Sequence, residues 1–96
     1  MKVCIIQPYY SMNGADNDTC FSEILTYLEK CDETMDLIVL PEYSDIPSNI
    51  IEKEPFDESI RKYNSVILEK CKETAIRCHA MVFVNAAYET ELGFRN

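Results

Sequence analysis

The chain of 96 residues contains no tryptophan, two glycines, one histidine, and nine basic residues against seventeen acidic ones. Each scarcity removes a class of function. Two glycines, Gly14 and Gly93, form neither a Gly-x-Gly-x-x-Gly fingerprint nor a Walker loop, so a glycine-lined phosphate cradle is excluded. The lone histidine, His79, falls near the end of a helical pattern, where it suits the last helix carbonyls better than a Ser-His-Asp triad. A net charge of −8 argues against nucleic acid as a partner, because such binding rests on Lys and Arg neutralising phosphates. No apolar run reaches the about 18 residues of a membrane-spanning helix. The opening Met1–Pro8 stretch, MKVCIIQP, is too short and lacks the cleavage site of a signal peptide, so a cytoplasmic location is the default expectation.

Cysteine is present but in the wrong pattern for crosslinks. Five residues (Cys4, Cys20, Cys31, Cys71, Cys78) make an odd count, contain no Cys-x-x-Cys pair, and leave Cys78 adjacent to His79 in a spacing foreign to zinc sites. Reduced, mostly buried thiols are expected, with no metal and no cofactor.

The composition that remains is globular: 47% hydrophobic and 27% charged. A chain this short buries only roughly 60–65% of its unfolded surface, so its stability is marginal unless something covers its apolar faces. Most of its acids, as in Glu52–Glu58, read as solvated helix faces.

Apolar periodicity lays out the elements. Val3–Ile6 reads as a strand buried on both faces. Tyr9–Asp18 is a loop, with Asp18 or Thr19 as helix cap. Phe21, Ile24, Leu25, Leu28 and Cys31 form the stripe of a first helix ending near Asp32. Leu37–Leu40 is the second strand, and Pro41 stops its ladder. Residues 43–55 form a loop, after which Asp57 or Ser59 opens a second helix with the stripe Ile60, Tyr63, Ile67, Cys71, Ala75 and Cys78. Met81–Val84 is the third strand, followed by Asn85 and a polar tail. The order β-α-β-α-β with solid apolar strands predicts an α/β fold with a parallel sheet and crossover helices.

In open α/β sheets, functional groups gather past the carboxyl ends of the strands. Gln7, Glu42 and Asn85 hold those positions. The stretch DLIVLPEYSD, Asp36–Asp45, places Glu42 one residue after a buried run. A carboxylate on such a rim is partly desolvated, a condition that suits a general base. The alternative is that Glu42 caps or salt-bridges within its loop. Among the thiols, Cys4, Cys31, Cys71 and Cys78 read as core, while Cys20 at the start of the first helix is the one open to activation by a helix N-terminus.

A first strand ending in Gln7, a helix, then DLIVLPE, and a third segment MVFVNAAYETELGFRN together resemble the opening of the carbon–nitrogen hydrolase (nitrilase and amidase) superfamily. The resemblance covers this whole chain but only about the first third of a typical family domain. It implies an α-β-β-α sandwich, of which residues 1–96 supply the β-α-β-α-β opening, an incomplete and truncated domain. It also implies a Glu-Lys-Cys set that cleaves an amide or nitrile, with Glu42 as the general base. The loop after Glu42 then lines one wall of the site, with Tyr43 nearest the carboxylate as a substrate-binding residue and Tyr9 and Tyr10 as further candidates. The family's Lys lies beyond the Asn that Asn96 resembles, and its Cys lies further still. Lys53, Lys62, Lys70 and Lys72 do not occupy that place. The resemblance thus implies that these residues alone are inactive, with one sheet face uncovered, and its habit of dimerising makes a homo-oligomer possible. Two other readings stay open. One is a small non-catalytic interaction domain of receiver or flavodoxin type, although Gln7-Pro8 stands where a receiver needs its acidic pair. The other is a shortened paralogue acting through a full-length partner.

Overall fold

Three short apolar runs become the three strands of one parallel sheet, and the two amphipathic stripes become the helices that cover it. The computed structural model describes residues 1–50, 52–91 and 93–95. In chain order the elements are β1 (Val3–Ile5), a single 3₁₀ turn (Gly14–Asp16), α1 (Asn17–Lys30), β2 (Leu37–Val39), α2 (Lys53–Cys78), β3 (Met81–Phe83), β4 (Tyr88–Thr90) and β5 (Gly93–Arg95). The large sheet has the order β1-β2-β3, all parallel, so β2 is central. Hydrogen bonds from Ile6 N–H to Val39 O (2.9 Å) and Leu40 N–H to Phe83 O (3.0 Å) carry the pairing one residue past the strands, to the ends expected from sequence. No helix among the described residues is long and apolar enough to cross a membrane.

The register separates the two faces of the sheet. Cys4, Ile38 and Val82 align in one row that joins the core under the helices. Leu28, Ile38 and Ile67 are fully buried there, with Ile24 and Phe21 beside them. Phe21 and Tyr63 stack at 4.2 Å between ring centroids and join the two helices. The opposite face carries two further rows, Val3–Leu37–Met81 and Ile5–Val39–Phe83. Among the described residues nothing covers this second face: Ile5 is 66% exposed and Phe83 64%. The strands are therefore buried on one face only, because both crossovers run in the same direction along the sheet and leave both helices on the same side.

The helix ends differ from the sequence reading in instructive ways. Neither Asp18 nor Thr19 caps α1. Asn13 Oδ1 accepts from Ala15 N–H (3.0 Å) and caps the 3₁₀ turn, which runs directly into α1 at Asn17. Asp18 lies in the first turn and accepts from Lys62 Nζ (2.7 Å) and from the Tyr63 hydroxyl, tying α1 to α2. These two donors hold its carboxyl below the usual range, Lys62 foremost. α2 begins at Lys53, ahead of Asp57 and Ser59, and contains Pro55 in its first turn. A proline there removes only an N–H that has no helical acceptor. At its other end α2 closes with His79 at φ 52, a left-handed cap. The backbone does the capping: His79 N–H reaches Ile76 O (3.4 Å) and Ala80 N–H reaches Ala75 O (3.1 Å). Thr74, fully buried, replaces the half-buried Ala75 on the core stripe and returns its hydroxyl to Lys70 O (2.8 Å). Arg77 from α2 clamps the end of α1, donating to Cys31 O (2.6 Å) and Leu28 O (3.0 Å). The polar tail contains an antiparallel hairpin, β4 with β5. Asn96 lies outside the described residues.

This division into a packed and an open face has a measurable consequence. Leu28→Ala lowers stability by about 2–5 kcal/mol in urea unfolding, as expected for a fully buried leucine. Ile5→Lys changes stability by no more than about 0.5 kcal/mol and reduces binding of a hydrophobic dye to the folded chain.

Candidate active site

At the end of β2 the chain cannot continue as a strand, because Pro41 has no N–H for the ladder. Residues 42–45 then form a tight turn. Tyr43 sits at φ 56, in the left-handed region, which costs a non-glycine residue about 1–2 kcal/mol. Asn85, just past β3, holds that conformation. Its side-chain Oδ1 accepts from Tyr43 N–H (2.9 Å) and its backbone oxygen accepts from Ser44 N–H (3.0 Å). The Ser44 hydroxyl donates back to Pro41 O (2.7 Å) and closes the turn.

Asp45 anchors the turn to the rest of the molecule. It is 0% exposed. Its Oδ2 accepts from Ala87 N–H (2.9 Å) and from Asn64 Nδ2 on α2 (2.9 Å), and the same Asn64 amide donates to Ala87 O (2.7 Å). The Asp45 backbone oxygen accepts from the Ser59 hydroxyl, also on α2 (2.9 Å). Asn17 at the start of α1 extends the network, donating to Ser59 Oγ (3.2 Å) and accepting from Ser48 (2.9 Å). Asp45 Oδ1 is enclosed with no hydrogen-bond partner among the described residues. The elbow is thus pinned from β3's exit, from α2 and, through Ser59, from α1.

Glu42 projects from this rigid base. Its side chain is exposed, and no hydrogen bond or ion pair among the described residues engages it. The desolvation expected from its rim position is therefore not supplied by these residues, and neither is the cap or salt bridge offered as the alternative. Gln7 and Glu42 do come together, both lining an open cavity of about 200 Å³. Tyr9, Tyr10 and Tyr43 line the same cavity. The Tyr43 ring stands edge-on to Phe56 at 6.5 Å between centroids. Asn85 does not join this wall. Its side chain is committed to the Tyr43 amide, so the third strand-end group is a clamp rather than a reactive group.

None of the five thiols lines this cavity. Cys20, the one read as open to activation, is 1% exposed, since it heads the core-facing stripe that continues through Phe21, Ile24 and Leu28. Burial pushes the Cys31 thiol up to about 11, with the neighbouring Cys4 adding to the effect. Burial pushes Cys71 up to about 11 as well. Lysines are equally remote: Lys53 pairs with Asp57, Lys62 with Asp18, and Lys70 with Glu29 and Glu73. No cluster of three or more His, Cys, Asp or Glu among the described residues could hold a metal ion.

Comparison of the chain with protein-family models, with curated proteins and with solved structures finds no match. The site is therefore read from its geometry. An exposed carboxylate, unpaired among the described residues, at the carboxyl edge of a parallel sheet can accept a proton or hold a cation. These residues present neither a thiolate nor a cation to complete a nucleophilic set.

Two measurements probe this arrangement. Asn85→Ala leaves the Tyr43 amide without its acceptor and lowers stability by about 1–3 kcal/mol, while Asn85→Asp keeps an oxygen in place and costs less, both read by chemical denaturation. The buried thiols give a pH dependence. Cys31 and Cys71 have folded-state values near 11 against an ordinary 9.0, so the folded chain keeps protons that the unfolded chain releases. Their contribution is complete below about pH 9 and is lost as pH rises towards 11. The urea midpoint falls across that window, and a Cys31→Ala/Cys71→Ala variant falls less steeply.

Proposed function

We propose that this chain is the opening portion of a carbon–nitrogen hydrolase of the nitrilase and amidase type, with Glu42 as its general base. The observation that carries the reading is the clamped elbow: Glu42, a carboxylate just past the central strand with no partner among the described residues, is followed at once by the left-handed Tyr43 in a turn braced from three elements. Strain held in place by surrounding structure concentrates at functional sites. The uncovered sheet face supports the same reading, because two apolar rows across three strands suit a second β-layer, as an α-β-β-α sandwich requires.

In the completed site Glu42 takes the proton of a cysteine thiol, and the thiolate sulfur adds to the carbon of an amide or nitrile. With an amide, the tetrahedral adduct expels ammonia or an amine, which leaves carrying the transferred proton. Water then attacks the thioester, releasing a carboxylic acid and restoring the thiol. With a nitrile, the first adduct takes up water before ammonia departs. A lysine stabilises the negative charge that develops at the reacting centre. Tyr43, beside Glu42 on the same wall, contacts the substrate.

Because neither the thiol nor the lysine is present at the cavity, the 96-residue chain alone is expected to release no ammonia from simple amides above background. Robust turnover by the purified chain would sink the assignment of the missing groups. The coding sequence beyond codon 96 tests the family itself: an in-frame Lys followed by a Cys supports it, and a continuation containing neither overturns it. The bare sheet face also favours a second reading, a shortened paralogue completed by a full-length partner. A monomeric chain that unfolds in one cooperative step argues against that reading.

A further inference from the structure

We propose that the cavity beside Glu42 binds an alkylammonium group. Its wall contains one carboxylate, Glu42, three phenol rings, Tyr9, Tyr10 and Tyr43, and the Gln7 amide, with Ile46 among its apolar members. No Lys, Arg or His lines it. The one formally charged side chain in the lining is therefore negative, the Glu42 carboxylate, and the tyrosine rings add negative potential over their faces through their quadrupoles, while the Gln7 amide and the hydroxyls can turn their oxygens to a cation. An anionic group placed here meets repulsion and finds no compensating cation. An ammonium group gains from both kinds of wall, and its alkyl stem has apolar neighbours to lie against.

Three further observations strengthen the argument. The Glu42 carboxylate has no partner of its own among the described residues, so a ligand does not have to displace one. The walls are held in advance: Tyr43 by its left-handed backbone and the Asn85 clamp, and Tyr9 by Pro8 before it and by its N–H to Glu23 Oε2 (3.3 Å). Preorganisation of this sort reduces what is lost on binding. The surrounding field has the same sign, with seventeen acidic against nine basic residues. At about 200 Å³ the cavity suits a headgroup of a few heavy atoms, and it opens to solvent, where the rest of a longer ligand extends.

Cation binding at the cavity does not depend on the hydrolase reading. Where that reading holds, and on it alone rests this clause, the substrate is an amide or nitrile that also carries an ammonium group.

The test is an NMR titration of the ¹⁵N-labelled chain at near-physiological salt with n-butylammonium, and in parallel with butyrate. The expected result is a saturable shift of the Tyr9, Tyr43 and Ser44 amides by butylammonium in the millimolar range, and no saturable shift with butyrate. Glu42→Gln, at an exposed side chain that supports no packing, weakens binding about three- to fivefold, and Tyr9→Leu or Tyr10→Leu about twofold or more. Equal binding of butyrate, a shift that fails to saturate, or affinity unchanged by Glu42→Gln overturns the proposal. No hydrolysis is involved in this readout. A negative titration leaves the hydrolase reading standing, and a failure of that reading leaves the cation site intact.

Discussion

The carboxyl group of Asp45 is the interaction on which the rest of the site depends. With Asn64 it joins the turn after β2, the middle of α2 and the segment after β3 at a single point. A polar group taken wholly out of water must find partners, and Asp45 finds the Ala87 N–H and the Asn64 amide through one oxygen while the other stays enclosed. That requirement fixes where the chain can go. Ala87 must come up beside the turn, which sets the exit path of β3, and Asn85 two residues earlier then falls under Tyr43. The left-handed backbone of Tyr43, unfavourable in isolation, is the conformation that these bonds jointly demand. Two locally unfavourable features within three residues of Glu42, a strained φ and an unpartnered buried oxygen, mark the elbow as the least economical part of the fold.

A second constraint is the one-sidedness of the sheet. Successive strands are added in one direction, so both crossovers cover the same face. The helices bury the Cys4–Ile38–Val82 row and leave the Val3–Leu37–Met81 and Ile5–Val39–Phe83 rows open. A chain this small has little surplus stability, and it concentrates what it has in the layer between sheet and helices, where Leu28 and Ile67 are fully enclosed. The Arg77 clamp and the Asp18 contacts lock the two helices against each other at opposite ends. The packed half is therefore rigid whether or not the open face acquires a cover. This rigidity holds the backbone of Glu42 in position, and its exposed side chain extends from there.

The parts of the fold legible in the sequence are those set by local pattern. Solid apolar runs marked the three strands, and the 3.6-residue stripes marked both helices, because burial of one helix face is written into residue order. The parallel sheet followed from the alternation of the two. Pro55 misled at the start of α2, since the residue that breaks a helix interior is tolerated in its first turn, and the signal is the same letter in either place. The β4–β5 hairpin escaped notice because its pairing relies on Gly93 at φ 103 and not on an apolar run. At the site, Gln7 and Glu42 were visible because strand ends place them on one rim, whereas the three tyrosines were suggested by the resemblance to the hydrolase family. Asp45, Asn64 and Ser59 were not. Ser59 looked like a cap and Asn64 lies off the apolar stripe of its helix, and only the tertiary approach of α2 to the turn makes them a support.

Burial then sorts the chemistry by residue type. Four of the thiols are buried and Cys4 is half-buried, none of them on the cavity that holds Glu42. Two thiols are pushed to about 11, far from the thiolate form at neutral pH. The carboxylate and the phenols stand at the rim, exposed and accessible. A general base without a nucleophile nearby has nothing within these residues to activate. What the rim can do unaided is hold positive charge, because that requires only an unpaired carboxylate and ring faces. The two readings of the site are thus layered: cation binding needs nothing more than the elbow and its tyrosines, whereas hydrolysis needs a thiol and a lysine brought to the same edge. Both proposed roles would place the same demand on the elbow, since a base must be fixed relative to its nucleophile and a cation site relative to its rings. One network, centred on Asp45, does the fixing in either case.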